Sequence, residues 1–201
     1  LVEAGGIKGK ARLALADLFR GFASWKGMLE RDGHVVTVAA TGATLHTSPD
    51  NNGLAITPNY NFDNCPDLDI LIVPGGAVKP VVEEEKYQSW LKDRAGKVQC
   101  LMSVCNGAMP VAKAGLLKNL PVTSNAFLLK RLKTIEPTCT LVTDRRFVDN
   151  GHIVTTAGLS AGIDGALHLV ERYAGRFAAE QAALGMEYKW EPESTWSRAG
   201  L

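Results

Sequence analysis

The stretch VQCLMSVCNGAMP, residues 98–110, combines an apolar run with the turn sequence SVCNG at 103–107 and a second apolar segment. A short, continuous apolar run is typical of a strand that is buried on both faces of a parallel sheet. Proline is tolerated only near the start of a helix, so Pro110 places the helix start close to Asn106. The stretch therefore predicts a sharp strand-to-helix turn, with Cys105 at or next to the helix N-terminus.

A buried strand that ends in glycines also occurs at DILIVPGG, residues 69–76. Elsewhere the apolar patterns and turn formers predict a strand at 35–40, an extended segment at 139–142, hairpins at 45–60 and 147–155, and helices at 13–29, 82–94, 108–117, 127–132, 160–173 and 177–186. Strands that alternate with helices predict an α/β fold, with a mainly parallel sheet and helices on both faces.

Composition narrows the class of protein. The 201 residues suit one domain, 1–201, and 46% hydrophobic with 21% charged residues is ordinary for a globular chain. A formal net charge of +1 gives no electrostatic reason to expect nucleic acid or an anionic membrane as partner. Four cysteines without a C-x-x-C pair predict a reducing, cytoplasmic location. Scattered histidines argue against a metal site, and we expect neither a membrane span nor a signal peptide.

Two segments could carry chemistry. At the end of the 69–76 strand, Gly75 and Gly76 would leave backbone N–H groups free to bind a developing anion, or would simply form a tight turn. At the second segment, the partial positive charge of a helix N-terminus would stabilise a Cys105 thiolate as a nucleophile. The alternative is a buried structural cysteine, and spacing alone leaves both interpretations open.

Three motifs in order, DILIVPGG (69–76), SVCNGA (103–108) with AGLL (114–117), and TTAGLSAGID (155–164), resemble the ThiJ/PfpI family of the class I glutamine-amidotransferase-like superfamily. The resemblance covers about 35–188 and is strongest to the isonitrile hydratase branch. It implies a flavodoxin-like, doubly wound fold, a homodimer, no cofactor, a nucleophile at Cys105 and oxyanion-binding amides at Gly76 and Asn106. It also implies addition of water to a small isonitrile, which gives an N-substituted formamide.

The sequence departs from the family at two places. Many members carry a histidine after the AGLL helix, where this chain has Asn125, which cannot shuttle protons at neutral pH. The family also opens with a buried strand followed by an acid, but residues 1–10 contain no convincing strand. Glu3 and Asp17 are the nearest carboxylates, and Asp17 is our candidate for the proton donor, although a solvated helix face is the simpler explanation of Asp17. A missing central strand would expose ladder groups, so we expect a replacement for it.

Several other polar residues have more than one possible structural or functional role. Ser160 would cap the 160–173 helix or line the pocket, and Asn125 is a candidate for ligand binding. Arg145-Arg146 would hold an anion, although a solvated edge fits that pair better.

For the whole chain, a cysteine-dependent hydratase or hydrolase is the first hypothesis. A non-enzymatic ligand or redox sensor that uses the same cysteine is the second, and glyoxalase- or deglycase-like activity is the third.

Overall fold

The computed structural model of the chain describes residues 60–76 and 78–194, together with the strands at 12–16, 35–39, 45–46 and 55–56. The strands are β1 (Arg12–Ala16), β2 (Val35–Ala39), β3 (Leu45–His46), β4 (Ala55–Ile56), β5 (Ile70–Val73), β6 (Cys100–Val104), β7 (Pro121–Val122), β8 (Thr140–Leu141), β9 (Phe147–Asp149) and β10 (Ile153–Thr156). The helices are α1 (Lys79–Glu83), α2 (Glu85–Ala95), α3 (Ala108–Lys113), α4 (Leu129–Ile135), α5 (Ala161–Ala174) and α6 (Arg176–Gly185). Short 3₁₀ helices at Cys105–Gly107 and Ala126–Leu128 lead into α3 and α4.

The main sheet has six strands in the order β2-β1-β5-β6-β10-β9. All neighbours are parallel except β9, which pairs antiparallel with β10. This arrangement confirms the predicted α/β class and the mainly parallel sheet. The carboxyl ends of β5 and β6 therefore lie side by side, and both segments that could carry chemistry meet at one edge of the sheet.

Side chains of β5 and β6 alternate between the two faces of the sheet, as strand geometry requires. On one face Leu71, Val73 and Leu101 pack in an apolar cluster with residues of α2, α3 and α4. On the other face the cluster joins Ile70, Ile72, Cys100, Met102 and Val104 to Ala166 and Leu169 of α5. Both faces are covered, which explains why β5 is apolar throughout and why Ser103 is the one polar residue of β6.

The predicted helix at 13–29 is wrong over its first turn, because residues 12–16 form strand β1. This strand lies between β2 and β5, with Leu13 opposite both Val36 and Ile70. Leucine and alanine favour helices in isolation, but pairing on two sides satisfies every ladder group of a central strand, and tertiary context wins. Strand β1 occupies the central position for which a replacement was expected, and residues 17–34 lie outside the described part.

The remaining elements follow the sequence with smaller corrections. The helix predicted at 82–94 is two helices, because Glu84 has extended backbone angles, φ −84° and ψ 110°, between α1 and α2. The helix predicted at 108–117 ends earlier, at Lys113. The predicted hairpins are confirmed as the antiparallel pairs β3/β4 and β9/β10. Gly151, in the second of these turns, has φ +80° and donates its N–H to Asp149.

Helix α3 begins very close to the end of β5, and this approach predicts a strong effect at Gly107. Its φ of −58° suits any residue, but a Cβ there would lie 2.6 Å from the Pro74 carbonyl oxygen and closer still to that of Val73. We expect Gly107→Ala to lower the free energy of unfolding by about 1–3 kcal/mol in urea denaturation, because backbone must move. Gly185→Ala is the matched control, since a Cβ there meets nothing within 4 Å. A Gly107→Ala protein as stable as the control would contradict this packing.

Candidate active site

Cys105 occupies a strained elbow between β6 and the 3₁₀ helix that leads into α3. Its φ is +56°, a left-handed conformation that residues other than glycine adopt at a cost of roughly 1–3 kcal/mol. Two hydrogen bonds hold it there: the Cys105 N–H donates to the Ala157 carbonyl at 3.0 Å, and the buried Ser124 Oγ donates to the Cys105 carbonyl at 2.7 Å. The surrounding chain thus fixes the backbone from which the thiol projects.

Asn106 joins this elbow to the turn that follows β5. Its Nδ2 donates to the Gly76 carbonyl at 2.8 Å, and its Oδ1 accepts from the Gly76 N–H at 2.9 Å. Gly76 has φ +136°, which favours glycine. The Gly76 amide, which we expected to face an oxyanion, is thus hydrogen-bonded to Asn106 here.

Gly75 packs directly under the elbow. A Cβ at this position would lie 2.6 Å from Asn106 Oδ1 and 3.0 Å from Cys105 Cβ. Residue 75 is therefore glycine because of space, and it lets the two turns touch. The structure brings together four residues that sequence reasoning selected: Gly75, Gly76, Cys105 and Asn106.

The four cysteines differ in environment. Cys105 is 9% exposed and belongs to the apolar cluster on the α5 face, whereas Cys100 and Cys139 are fully buried. Burial raises the pKa of the Cys100 thiol to about 11, and it also raises the pKa of the Cys65 and Cys139 thiols. These three side chains are held in the unreactive thiol form.

A cavity of about 340 Å³ lies near the elbow, and Cys105 itself is not among the described residues that line it. Ser124 and Ala157, which hydrogen-bond to the Cys105 backbone, do line its wall. Asn125 and Ser160 also line it, which places both of these candidate binding residues on one surface. The other lining residues are mostly apolar or hydroxyl-bearing: Thr123, Ala126, Phe127, Leu129, Thr143, Arg146, Gly158, Leu159 and Ala161.

Arg146 lies in the cavity wall, although the sequence analysis favoured a solvated edge for it. The interpretation of Arg145-Arg146 as a solvated edge is wrong for Arg146, because its Nε lies 2.6 Å from Asp164 Oδ2 and the side chain is only 12% exposed. Its Nη2 donates to Ser160 Oγ at 2.9 Å. Ser160 does take the helix N-cap position of α5, but its side chain makes no capping hydrogen bond. Two motif residues, Ser160 and Asp164, therefore hold an arginine from the bend that precedes β9.

Tyr188 completes this network from the segment after α6. Its hydroxyl donates to Asp164, with distances of 3.1 Å and 3.0 Å to the two carboxylate oxygens. Burial and the neighbouring Asp164 charge raise the pKa of Tyr188, so the hydroxyl remains a donor. The Asp164 side chain is 3% exposed and is held from two sides.

The remaining candidate residues are the acid Asp17 and the histidines. Strand β1 ends at Ala16, one residue before Asp17 in the sequence, and Asp17 itself lies outside the described residues. His168 pairs with Asp149 at 2.7 Å rather than with other ligating side chains. Within the described ranges, no group of three or more His, Cys, Asp or Glu side chains is arranged to hold a metal ion. Among the same residues, no helix has the length and apolar character needed to cross a membrane.

Comparison with known proteins relates this geometry to characterised relatives. Residues 16–172 match the model of the DJ-1/PfpI family. The isonitrile hydratase of Pseudomonas putida is 33% identical over 143 residues, which cover 71% of this chain and 61% of that protein. The HTH-type transcriptional regulator GbdR of Pseudomonas aeruginosa is 30% identical over 63% of this chain and 34% of the regulator. The chain thus spans less than two thirds of either relative.

A solved structure supports the same assignment. The crystal structure of a ThiJ/PfpI family protein from Pseudomonas syringae superimposes with a TM-score of 0.77 at 27% identity, covering 92% of this chain and 78% of that one. The flavodoxin-like fold expected from the motifs is confirmed.

The contrast among the cysteines predicts selective alkylation. At neutral pH we expect iodoacetamide to modify Cys105 at least about tenfold faster than Cys65, Cys100 or Cys139 in the native protein, because burial raises the pKa of those three thiols and Cys105 is the most exposed of the four side chains. Peptide mass spectrometry after timed quenching measures the four rates. Cys105→Ser is the control and should leave the native protein almost unlabelled. Equal labelling of Cys105 and Cys100 would contradict the environments described above.

The raised pKa of Cys100 predicts a loss of stability in alkaline solution. Because the unfolded thiol ionises near its ordinary value of 9.0 and the folded one near 11, the unfolded state loses its proton first. The stabilisation is therefore complete below about pH 9 and is lost as pH rises towards 11, by about 2–3 kcal/mol in total. Urea denaturation across this range should show a steeper decline for the wild type than for Cys100→Ala. Identical pH slopes would refute the assignment.

Proposed function

The chain belongs to the DJ-1/PfpI family, and within it we propose that the protein is a cysteine-dependent enzyme that hydrates a small isonitrile to an N-substituted formamide. The observation that carries the proposal is the strained elbow at Cys105, positioned beside a cavity whose wall also holds Cys105 in place. The similarity to an isonitrile hydratase indicates the reaction. The same family membership is our reason to propose a homodimer.

The chemistry requires a nucleophile and a proton donor. The Cys105 thiolate attacks the terminal carbon of R–N≡C while that carbon receives a proton, which gives the thioimidate R–N=CH–S–Cys105. Water adds to this C=N bond, with a proton going to nitrogen, and forms R–NH–CH(OH)–S–Cys105. Loss of the thiolate and of the hydroxyl proton releases R–NH–CHO. The net change is the addition of one water, and neither an oxidant nor a cofactor is consumed.

We propose that Asp17 supplies and recovers the proton. Strand β1 is paired parallel with β5 and ends at Ala16, so its carboxyl end lies at the same edge of the sheet as the Cys105 elbow. A positioned carboxyl group can act as general acid and general base in the two halves of one reaction. Asp17 follows this strand directly in the sequence, where the family resemblance implies an acid.

Asn125 favours hydration over the hydrolysis of amides. Its Oδ1 accepts from the Phe127 N–H at 3.0 Å and its side chain borders the cavity. An amide group can position a ligand but cannot exchange a proton at neutral pH. Amide hydrolysis needs a proton delivered to a poor leaving group, whereas hydration of an isonitrile expels no group other than the enzyme thiolate.

The oxyanion role that we assign to Gly76 and Asn106 needs one rearrangement. The Gly76 N–H donates to Asn106 Oδ1, so a ligand oxygen has to displace that side chain to reach it. The first amides of a helix lack partners within the helix, which leaves the Asn106 backbone N–H as the better placed donor of the two.

A ligand sensor is the second candidate function. The similarity to an HTH-type transcriptional regulator supports it, because that protein shares the domain at 30% identity. In this case the cavity binds a metabolite and Cys105 serves as contact or redox group without turnover. Saturable binding of a ligand to a protein that shows no turnover of isonitriles would favour this function.

The hydratase proposal predicts that the protein converts cyclohexyl isocyanide to N-cyclohexylformamide. Cys105→Ala should reduce kcat/KM at least about 10³-fold, since the covalent intermediate is lost. Asp17→Asn should reduce it about 10²–10⁴-fold, because an amide cannot deliver the proton. Chromatographic detection of the formamide measures both effects.

Glu187→Gln is a suitable control for these variants, because that side chain is exposed and lies outside the residues that line the cavity. A wild-type protein that forms no formamide, or a Cys105→Ala variant with unchanged turnover, would end the proposal.

A further inference from the structure

Among the described residues that line the cavity near Cys105, Arg146 is the single ionisable side chain. The other lining groups are aliphatic or aromatic, or bear a hydroxyl or an amide. A guanidinium in the wall of a small cavity ordinarily attracts carboxylates or phosphates, through paired hydrogen bonds. The charge preference of the cavity therefore depends on whether Arg146 is already matched.

The positive charge is matched by Asp164. Arg146 Nε lies 2.6 Å from Asp164 Oδ2, and the two side chains are 12% and 3% exposed. Arg146 Nη2 is also engaged, because it donates to Ser160 Oγ at 2.9 Å. A ligand carboxylate at this wall would have to displace these partners and would lie close to the Asp164 charge, with little water to screen the repulsion.

Asp164 cannot easily turn away to make room. The Tyr188 hydroxyl also donates to its carboxylate, and Asp164 lies in the first turn of α5, where the helix N-terminus stabilises negative charge. The neutral character of the wall is thus fixed by the fold before any ligand arrives.

We infer that the cavity accepts uncharged groups and that Asp164 sets this selectivity by neutralising Arg146. The inference rests on the proposed function and narrows its substrate class to isonitriles with a small, uncharged R group. A volume of about 340 Å³ is near the lower end for ligand pockets and suits a short alkyl or a single ring. Asp164 contacts Arg146 rather than the ligand, so its role is that of a positioning residue.

Binding to the full chain carrying Cys105→Ser tests the inference without turnover. The two probes are N-butylformamide and N-formyl-β-alanine, which have similar lengths and differ by one carboxylate. We expect the neutral probe to bind at least about tenfold more tightly in titration calorimetry. Adding Asp164→Asn keeps the side-chain shape but removes the negative charge that pairs with Arg146, so the affinity ratio should move at least about tenfold towards the anionic probe.

Two further variants make the test specific to charge. Tyr188→Phe removes a hydrogen bond from Asp164 and an acceptor from Arg146, but no charge, so the affinity ratio should change far less than it does in Asp164→Asn. Arg146→Gln leaves Asp164 as the unmatched charge, so it should shift preference in the other direction, towards N-(3-aminopropyl)formamide. This variant also keeps the inference testable if Asp164→Asn does not fold.

The possible outcomes separate the inference from the proposed function. Neutral preference that responds to Asp164→Asn or Arg146→Gln, in a protein without isonitrile turnover, supports the inference and overturns the function. Turnover combined with an affinity ratio that neither variant moves overturns the inference alone. Failure of all probes to bind overturns the inference, and it overturns the proposed function as well only when the wild type also shows no isonitrile turnover.

Discussion

The close packing of the Cys105 elbow against the turn after β5 constrains the whole candidate site. Two adjacent parallel strands end at the same level, and their turns touch without intervening side chains because residues 75 and 107 are glycines. Asn106 then closes the contact with two hydrogen bonds to Gly76. The left-handed backbone of Cys105 is held by groups from two other segments, Ser124 and Ala157. The direction of the thiol is thus set by backbone geometry.

The parts of this architecture that could be predicted from sequence are those encoded locally. Strands β5 and β6 are short apolar runs next to turn glycines, and the β9/β10 hairpin has an Asn-Gly turn. Strand β1 could not be recognised in this way, because Arg-Leu-Ala-Leu-Ala has the composition of a helix. Its conformation comes from two neighbours, one of which lies more than fifty residues away in sequence, since Leu13 pairs with Ile70. Non-local pairing leaves no periodic signal in the segment itself.

The same distinction applies to the site residues. Gly75, Gly76, Cys105 and Asn106 form two contiguous motifs, so sequence alone identified them. Arg146 was assigned to a solvated edge because its partners, Asp164 and Tyr188, come from α5 and from the segment after α6. The one available signal was Asp164, an acid within the first turn of a helix that follows an otherwise uncharged motif. A buried carboxylate in such a position requires a cation, and sequence alone does not say which arginine supplies it.

The central position of β1 also bears on the order in which the chain can acquire its structure. During synthesis the segment emerges early, but one of its two ladders has to wait until β5 has left the ribosome. Until then the unpaired edge of a leucine- and alanine-rich strand is open to neighbouring chains. The nascent protein therefore passes through an interval in which this segment is open to aggregation. Binding of a chaperone, or formation of a local helix by the segment before it pairs as a strand, would protect it during that interval.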